Sequence, residues 1–349
     1  MLKNNYIIVN ATALDRGGAL NVLKQFVCNI PERNDINWLI FTSPKVQLKT
    51  YNNRVKIQPI TNVKSFVKRF MWDAFGLKKW LKRHGIIPTA AISLQNTGFR
   101  AGKGIPTYIY YHQSIPFYQQ RWNPFKKEQR ALWFYKNIYP FFVKLFLNKK
   151  SHIFVQLNFI KEGFAKKFKH AKNNIKVYSP NVSIETSSTT MDFEPERINL
   201  FYPASDFPYK NHQILYNALQ NIKKKVHLYL TIKKVYESED ITCLGSVNFD
   251  VVNSCYNSCD AVVFPSYIET FGLPLLEAAM KGIPIIAADL PYAREVLDGY
   301  EGVKFVKYDN TEEWRKAIEG LSKGKRFKPF DFSVRPGWKD LFEYILKEK

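Results

Sequence analysis

The run 264–282, Phe-Pro-Ser-Tyr-Ile-Glu-Thr-Phe-Gly-Leu-Pro-Leu-Leu-Glu-Ala-Ala-Met-Lys-Gly, limits what this chain can fold into more than any other stretch. Residues 261–265 are short and apolar and read as a strand. Pro274 suits the first turn of a helix, Gly282 closes that helix, and 284–288 begin the next strand. Strand, turn, helix and strand in that order is the repeating unit of a parallel sheet covered by helices. A helix opened by Phe-Gly-Leu-Pro leaves the amides of Gly272 and Leu273 unpaired, and a diphosphate is a natural ligand there. Glu269 in the turn and Glu277 one helical turn inside set two carboxylates around it, each an acceptor for ligand hydroxyls. Either glutamate alone reads equally well as solvated or as a complement to the helix dipole, whereas the pair around this turn reads as a site.

On these residues the segment resembles the retaining glycosyltransferases of the family-4 type, whose Glu-x7-Glu signature is matched by Glu269 and Glu277. The resemblance implies an α/β protein of the GT-B fold, with two Rossmann-like domains facing a cleft and a last helix crossing back to the first domain. It implies that Glu269 holds hydroxyls of the donor sugar at the reacting centre, Glu277 the ribose, and the amides of Phe271, Gly272 and Leu273 the phosphates. The similarity continues through 284–289 and Arg294-Glu295-Val296 and is diffuse in the N-terminal half.

The order of elements agrees. Apolar runs at 6–9, 38–42, 55–60, 90–94, 107–111 and 153–156 are followed by a second series at 200–203, 226–232, 241–244, 261–264, 284–288 and 303–306. Two series predict two Rossmann-like lobes, over 1–180 and 198–333, joined by a linker over 181–197 that is rich in Ser, Thr and Glu. Residues 334–349 supply the returning helix.

In the first lobe Gly17 and Gly18 follow the first strand, where glycine admits positive φ or close backbone approach to a ligand. They do not form Gly-x-Gly-x-x-Gly, so no nicotinamide cofactor is indicated. The resemblance puts this loop near the donor phosphates and the acceptor, with Asp15 and Arg16 as acceptor contacts. His112 ends the 107–111 strand, where ligands sit in open α/β sheets, and matches the family's cleft histidine beside the donor sugar. In the second lobe Lys210-Asn211 matches a diphosphate-binding cation at a helix start, while Ala204 and Ser205 stand where the family commonly has an Arg.

Residues 1–180 hold 31 Lys plus Arg against 6 Asp plus Glu, while 181–349 hold 21 against 24, so the halves carry +25 and −3. The basic half therefore faces a polyanion. Segments 64–83 and 122–150 interleave cations with Phe, Tyr and Trp, with Phe66, Phe70, Ala74 and Leu77 on one side of a helix, which suits an anionic membrane surface. The alternative is that these faces pack inward. No nucleic-acid-binding pattern is present, so nucleic acid is not expected as a partner. Cys28, Cys243, Cys255 and Cys259 are scattered, and Cys255 and Cys259 read as a buried stripe on a helix. No Asp-x-Asp occurs and Glu237–Asp240 lie in a polar loop, so no metal and no cofactor are expected. No apolar stretch is long enough to span a bilayer and the start lacks signal-peptide character, giving a cytoplasmic protein peripheral to the inner face of the cell membrane. The combined expectation is a metal-independent retaining glycosyltransferase. It moves a sugar from a nucleotide-sugar donor to a glycan acceptor, such as a polyprenyl-diphosphate-linked one, in surface polysaccharide (O-antigen or capsule-like) biosynthesis. A sugar-nucleotide epimerase or phosphorylase of this architecture, or a non-catalytic carbohydrate-binding protein, is the alternative.

Overall fold

The computed structural model describes residues 5–50, 52–61, 63, 65–182, 189–233 and 238–347. The chain divides into two compact units, residues 1–181 with 335–349, and residues 182–334.

Unit 1 carries a parallel sheet of β1 (Tyr6–Ala11), β2 (Asn37–Thr42), β3 (Val55–Pro59), β4 (Pro88–Ser93), β5 (Thr107–Tyr110), β6 (His152–Val155) and β7 (Ile175–Val177), ordered β3-β2-β1-β4-β5-β6-β7. Helices α1 (Gly17–Cys28), α2 (Phe66–Met71), α3 (Leu77–Arg83), α4 (Arg130–Asn137), α5 (Tyr139–Phe146) and α6 (Asn158–Phe168) lie between the strands. Because β1 and β2 are covered on both faces, they are apolar almost throughout. Ile7, Val9, Trp38 and Ile40 pack toward α1, and Ile8, Leu39 and Phe41 toward α3. Six of the seven strands are those expected; β7 is only three residues long and too short to stand out.

Unit 2 carries β8 (Ile198–Tyr202), β9 (Val226–Leu230), β10 (Ile241–Cys243), β11 (Ala261–Phe264), β12 (Ile285–Ala288) and β13 (Val303–Val306), ordered β10-β9-β8-β11-β12-β13 and all parallel. Its helices are α7 (His212–Leu219), α8 (Phe249–Ser258), α9 (Leu273–Met280), α10 (Pro291–Val296) and α11 (Thr311–Glu319). All six expected strands are present. The fold is α/β, with two Rossmann-like units.

Two expectations need correction. Within the expected linker, 183–188 lie outside the described residues, but 189–197 pack on unit 2. Phe193 stacks on Tyr229 with centroids 3.7 Å apart, and the Met191 amide donates to Ser258 Oγ at 2.7 Å. A lone buried aromatic in a polar stretch has no periodicity to announce it. The second correction concerns the helix expected over 64–83. Lys64 lies outside the described residues; the helix begins at Phe66, capped by Ser65, and passes through a π-helical turn at Trp72–Gly76 before α3. Its Phe66 and Phe70 do not face outward: they meet Phe142 at 4.6 and 5.8 Å, and Phe70 meets Phe146 at 5.6 Å, so this face is consumed in packing on α5. The exposed apolar residues are instead Val67, Met71 and Phe75, with Phe141 and Leu145 on α5. Among the described residues no helix is long and apolar enough to cross a membrane.

The last helix, α12 (Trp338–Lys347), belongs to unit 1. Trp338 is buried, stacks on Tyr110 at 5.0 Å, meets Phe26 edge-on at 5.9 Å and donates from Nε1 to Gln25 Oε1 at 2.8 Å. Phe342 adds an edge contact to Trp38 at 5.5 Å. Trp338→Ala is expected to cost unit 1 about 3–5 kcal/mol, as deletion of a large buried aromatic does. Urea unfolding checks this; a loss below about 1 kcal/mol, the range of surface changes, would show that α12 is not part of the core.

Candidate functional site

In unit 2 the chain leaves β8 toward β9 on one side and leaves β11 toward β12 on the other. Adjacent strands whose connections part in this way open a crevice at their carboxyl ends. The loop after β8 delivers Lys210. Tyr202 Oη donates to the Lys210 carbonyl at 2.7 Å, and Asn211 adopts left-handed φ of 60°, where Gly or Asn is tolerated best. Asn211 Nδ2 donates to the Tyr308 carbonyl at 2.7 Å and the Pro265 carbonyl at 3.4 Å, tying this loop to those after β13 and β11.

The loop after β11 delivers Glu269, whose carboxylate forms an ion pair with Lys210 Nζ, each side chain only 14% exposed. These two residues, read separately in the sequence, are thus direct partners. The ammonium also lies 5.6 Å from the Tyr209 ring and 5.9 Å from the Phe264 ring. Burial and the Glu269 carboxylate push the Tyr209 phenol up to about 12. Gly272 opens α9 at φ of 91°, and a Cβ there would meet the Tyr292 ring at 3.2 Å, so glycine is required twice over. Among the described contacts the amides of Phe271, Gly272 and Leu273 have no protein acceptor, and no side chain caps the helix. Glu277 lies beyond the first turn of α9, too deep to act as a cap. Its Oε2 accepts from Tyr256 Oη at 2.8 Å, a partner on α8 that no spacing rule connects to it. Burial raises the Glu277 pKa, opposed by the Tyr256 hydrogen bond and by Lys281. Ala204, where the resemblance led to an expected Arg, is buried, and its carbonyl accepts from Thr231 Oγ1 at 3.3 Å. Asp289 and Arg294 pair with each other, one bond at 2.8 Å, with the guanidinium 4.7 Å over Phe305, so these motif residues brace the loop after β12.

In unit 1 the order reverses between β1 and β4. Gly17 starts α1 at left-handed φ of 57°, and a Cβ on Gly17 or Gly18 would meet nothing within 4 Å. Arg16 is the exposed N-cap residue, 3.9 Å from the Asp15 carboxylate. His112, just beyond β5, takes an Asn96 Oδ1 contact on its amide at 2.6 Å, and its Nε2 is 2.9 Å from the Leu94 carbonyl. A carbonyl only accepts, so Nε2 carries the proton. Burial lowers the His112 pKa, favouring the neutral ring, against the hydrogen bond to Leu94. Nothing in the residue pattern singled out its neighbour Asp73, a buried carboxylate from the π-helical turn that lines the same cavity of about 310 Å³. Among the described residues no three His, Cys, Asp or Glu side chains are grouped to hold a metal. Glu237 lies outside them, and Asp240 pairs with Arg197.

Residues 198–323 match the family described as glycosyl transferases group 1. The matched stretch contains Lys210, Glu269, Phe271, Gly272, Leu273 and Glu277. Over 202 residues the chain is 26% identical to the O-antigen chain mannosyltransferase RfbU of Salmonella typhimurium, covering 53% of this chain and 55% of that protein. The chain thus spans about half the length of that relative. Among solved structures it is similar to the lipopolysaccharide outer core galactosyltransferase WaaB, with TM-score 0.65, 15% identity and coverage of 99% and 100%. It is also similar to Anabaena HepE in complex with UDP and glucose, with TM-score 0.62, 13% identity and coverage of 99% and 95%. These likenesses establish the GT-B fold.

The Lys210–Glu269 pair makes a stability prediction. Removing one partner strands the other charge in a site of low exposure, which costs about 3–5 kcal/mol. Lys210→Ala and Glu269→Ala should each destabilise unit 2 on that scale, with the double variant well short of their sum. Additive losses in a thermal double-mutant cycle would show that the pair is not coupled.

Proposed function

We propose that the protein is a retaining, metal-independent glycosyltransferase that takes its sugar from a nucleotide donor held in unit 2. The observation that carries this reading is the Lys210–Glu269 pair set in the same loops as the acceptorless amides of 271–273, within the stretch that matches the family. An arriving diphosphate supplies the acceptors those amides lack, and it competes with Glu269 for the Lys210 ammonium. Glu269, released in part, accepts hydroxyls of the donor sugar. Glu277, oriented by Tyr256, accepts the ribose hydroxyls. Neutralisation of the leaving diphosphate by Lys210 and helix amides is electrostatic stabilisation that needs no divalent ion. To His112, whose Nε2–H is held by the Leu94 carbonyl, we assign the catalytic role of the family's cleft histidine. To Gly17 and Gly18, where a Cβ would meet nothing within 4 Å, we assign donor contacts through the backbone, and to Asp15 and Arg16 on the same loop acceptor contacts, as the resemblance implies.

The likeness to an O-antigen chain mannosyltransferase supports a glycan acceptor of surface polysaccharide assembly, and a polyprenyl diphosphate is the carrier we propose for it. UDP, bound in the Anabaena relative, is the first probe. Glu277→Ala should weaken UDP about ten- to a hundredfold, the scale of a hydrogen bond to a charged group, while Glu269→Ala should slow transfer and leave UDP bound. Calorimetry and a radiolabelled transfer assay read both. Wild-type UDP affinity and full activity in both variants, or transfer abolished by chelator, would overturn the assignment.

The same reading places the protein in the cytoplasm, at the inner face of the membrane, on unit 1. Val67, Met71 and Phe75 line one side of the α2 segment, Phe141 and Leu145 stand exposed on α5, and Lys68, Lys78 and Lys144 are exposed among them. Arg100 lies 5.7 Å over the Phe75 ring. Exposed apolar side chains on segments that also expose cations match an anionic bilayer surface, where each cation contributes about 1 kcal/mol. Sedimentation with phosphatidylglycerol vesicles is expected at low salt, weakened by 0.5 M salt and by Lys68, Lys78 and Lys144→Gln, and abolished by adding Phe75→Ser and Phe141→Ser. Absence of binding at low salt would refute this surface.

A further inference from the structure

A second cavity of unit 1, of about 680 Å³, lies at the amino ends of β5 and β6, where Thr107 and His152 begin those strands. His112 stands beyond the other end of β5, so the length of the strand separates this cavity from the groups assigned to transfer. Its walls are the 99–106 loop before β5, the 147–151 loop before β6 and the start of α3. Lys78, Arg100, Lys103 and Lys150 line it, and among the described lining residues no Asp or Glu does.

This charge is uncompensated along the chain as well as in space. Residues 74–161 hold 15 Lys plus Arg against one acidic residue, Glu128. Among the described residues the ion pairs of unit 1 are Arg16–Asp15, Arg33–Asp35, Lys172–Glu162 and Lys347–Glu343, and none of them involves a cation of this cavity. A concave surface lined by one sign of charge concentrates its field and draws in counter-ions. The loop before β5 adds backbone donors. Among the described contacts the amides of Gly102, Lys103 and Gly104 have no protein acceptor, and Gly104 takes left-handed φ of 75°. Amides freed at such a turn bind anions, here beside the cations.

Cations and free amides together match a phosphate. The apolar residues beside them decide what carries it. Leu145, 46% exposed, lines the cavity, and the Arg100 guanidinium lies 5.7 Å over the ring of Phe75, itself 56% exposed. Phe75 and Leu145 both belong to the surface assigned above to the bilayer, so the cavity adjoins that surface. A free phosphate ester would leave both side chains in water. A lipid uses both chemistries at once, its phosphate among the cations and its first methylenes against Leu145 and Phe75.

We propose that this cavity is a discrete site for the phosphate of an anionic lipid headgroup, held by Lys78, Arg100, Lys103 and Lys150, with the lipid chains leaving along Leu145 and Phe75. The proposal rests on the membrane reading above and goes beyond the diffuse attraction of a basic unit to a charged bilayer. Its test titrates the full chain with dihexanoyl phosphatidylglycerol below its micelle concentration, followed by phosphorus NMR, in parallel with sedimentation on phosphatidylglycerol vesicles. Saturable binding is expected, with dihexanoyl phosphatidylcholine distinctly weaker. Lys103 and Lys150 are exposed, so Lys103→Gln with Lys150→Gln should leave the melting temperature unchanged and weaken the short-chain phosphatidylglycerol about tenfold or more. Lys68→Gln with Lys144→Gln, outside the cavity, should leave that affinity unchanged. Leu145→Ser should weaken the short-chain lipid and not glycerophosphoglycerol, the same headgroup without chains. Failure of the wild type to sediment with vesicles would strike at the membrane reading instead. With vesicles bound, absence of saturable short-chain lipid binding, equal losses in the two lysine pairs, or equal affinity for glycerophosphoglycerol would overturn this proposal alone. So would tighter binding of a single-stranded oligonucleotide that Lys103→Gln with Lys150→Gln abolishes.

Discussion

Each sheet is all parallel and covered on both faces, and that requirement places everything else. Right-handed crossovers that progress in one direction along a sheet put every helix on the same side, so a chain that covers both sides must reverse direction once. The reversals fall between β1 and β4 in unit 1 and between β8 and β11 in unit 2. At each, neighbouring strands send their loops apart, and backbone amides and polar side chains reach a crevice without cutting through the core. Lys210 and the 265–272 loop gather at one reversal; Gly17, Asn10 and Gln95 gather at the other, with His112 one strand away.

Ionisable groups at these reversals are held at a cost. Lys210 and Glu269 are drawn from water together, Glu277 and Asp73 have raised pKa values and His112 a lowered one, each chiefly or partly through burial. Replacing such groups by apolar residues of similar size is commonly neutral or stabilising, so their presence at strand ends speaks for a role beyond folding. Elsewhere the pattern differs: Arg33–Asp35 and Lys172–Glu162 are exposed pairs of the kind that contribute little.

The basic half of the chain spends its aromatics in two ways. Phe66, Phe70, Phe142 and Phe146 interlock in edge-on and tilted pairs that hold α2 against α5. Val67, Met71, Phe141 and Leu145, one position away on the same helices, stay outside, as does Phe75 in the π-helical turn. One helix pair thus supplies both the wall of the Asp73 cavity and an exposed apolar surface.

Much of this was determined by the sequence alone. Short apolar runs bounded by turn residues locate twelve of the thirteen strands, because a strand buried on both faces has little freedom in composition. Gly272, Pro274 and Gly282 announce the α9 turn, because φ of 91° and 68° and a missing amide hydrogen are local demands that few residues meet. Tertiary structure decided what depends on distant partners: that Lys210 pairs with Glu269, that Glu277 takes its hydrogen bond from Tyr256, and that Phe66 and Phe70 face inward. It also decided that Asp73, unremarkable between Trp72 and Ala74, is buried against Asn10 and Gln95. Local backbone preference is written in neighbouring residues, whereas the burial of a charge is set by side chains that the fold brings in from 22 and 63 positions away.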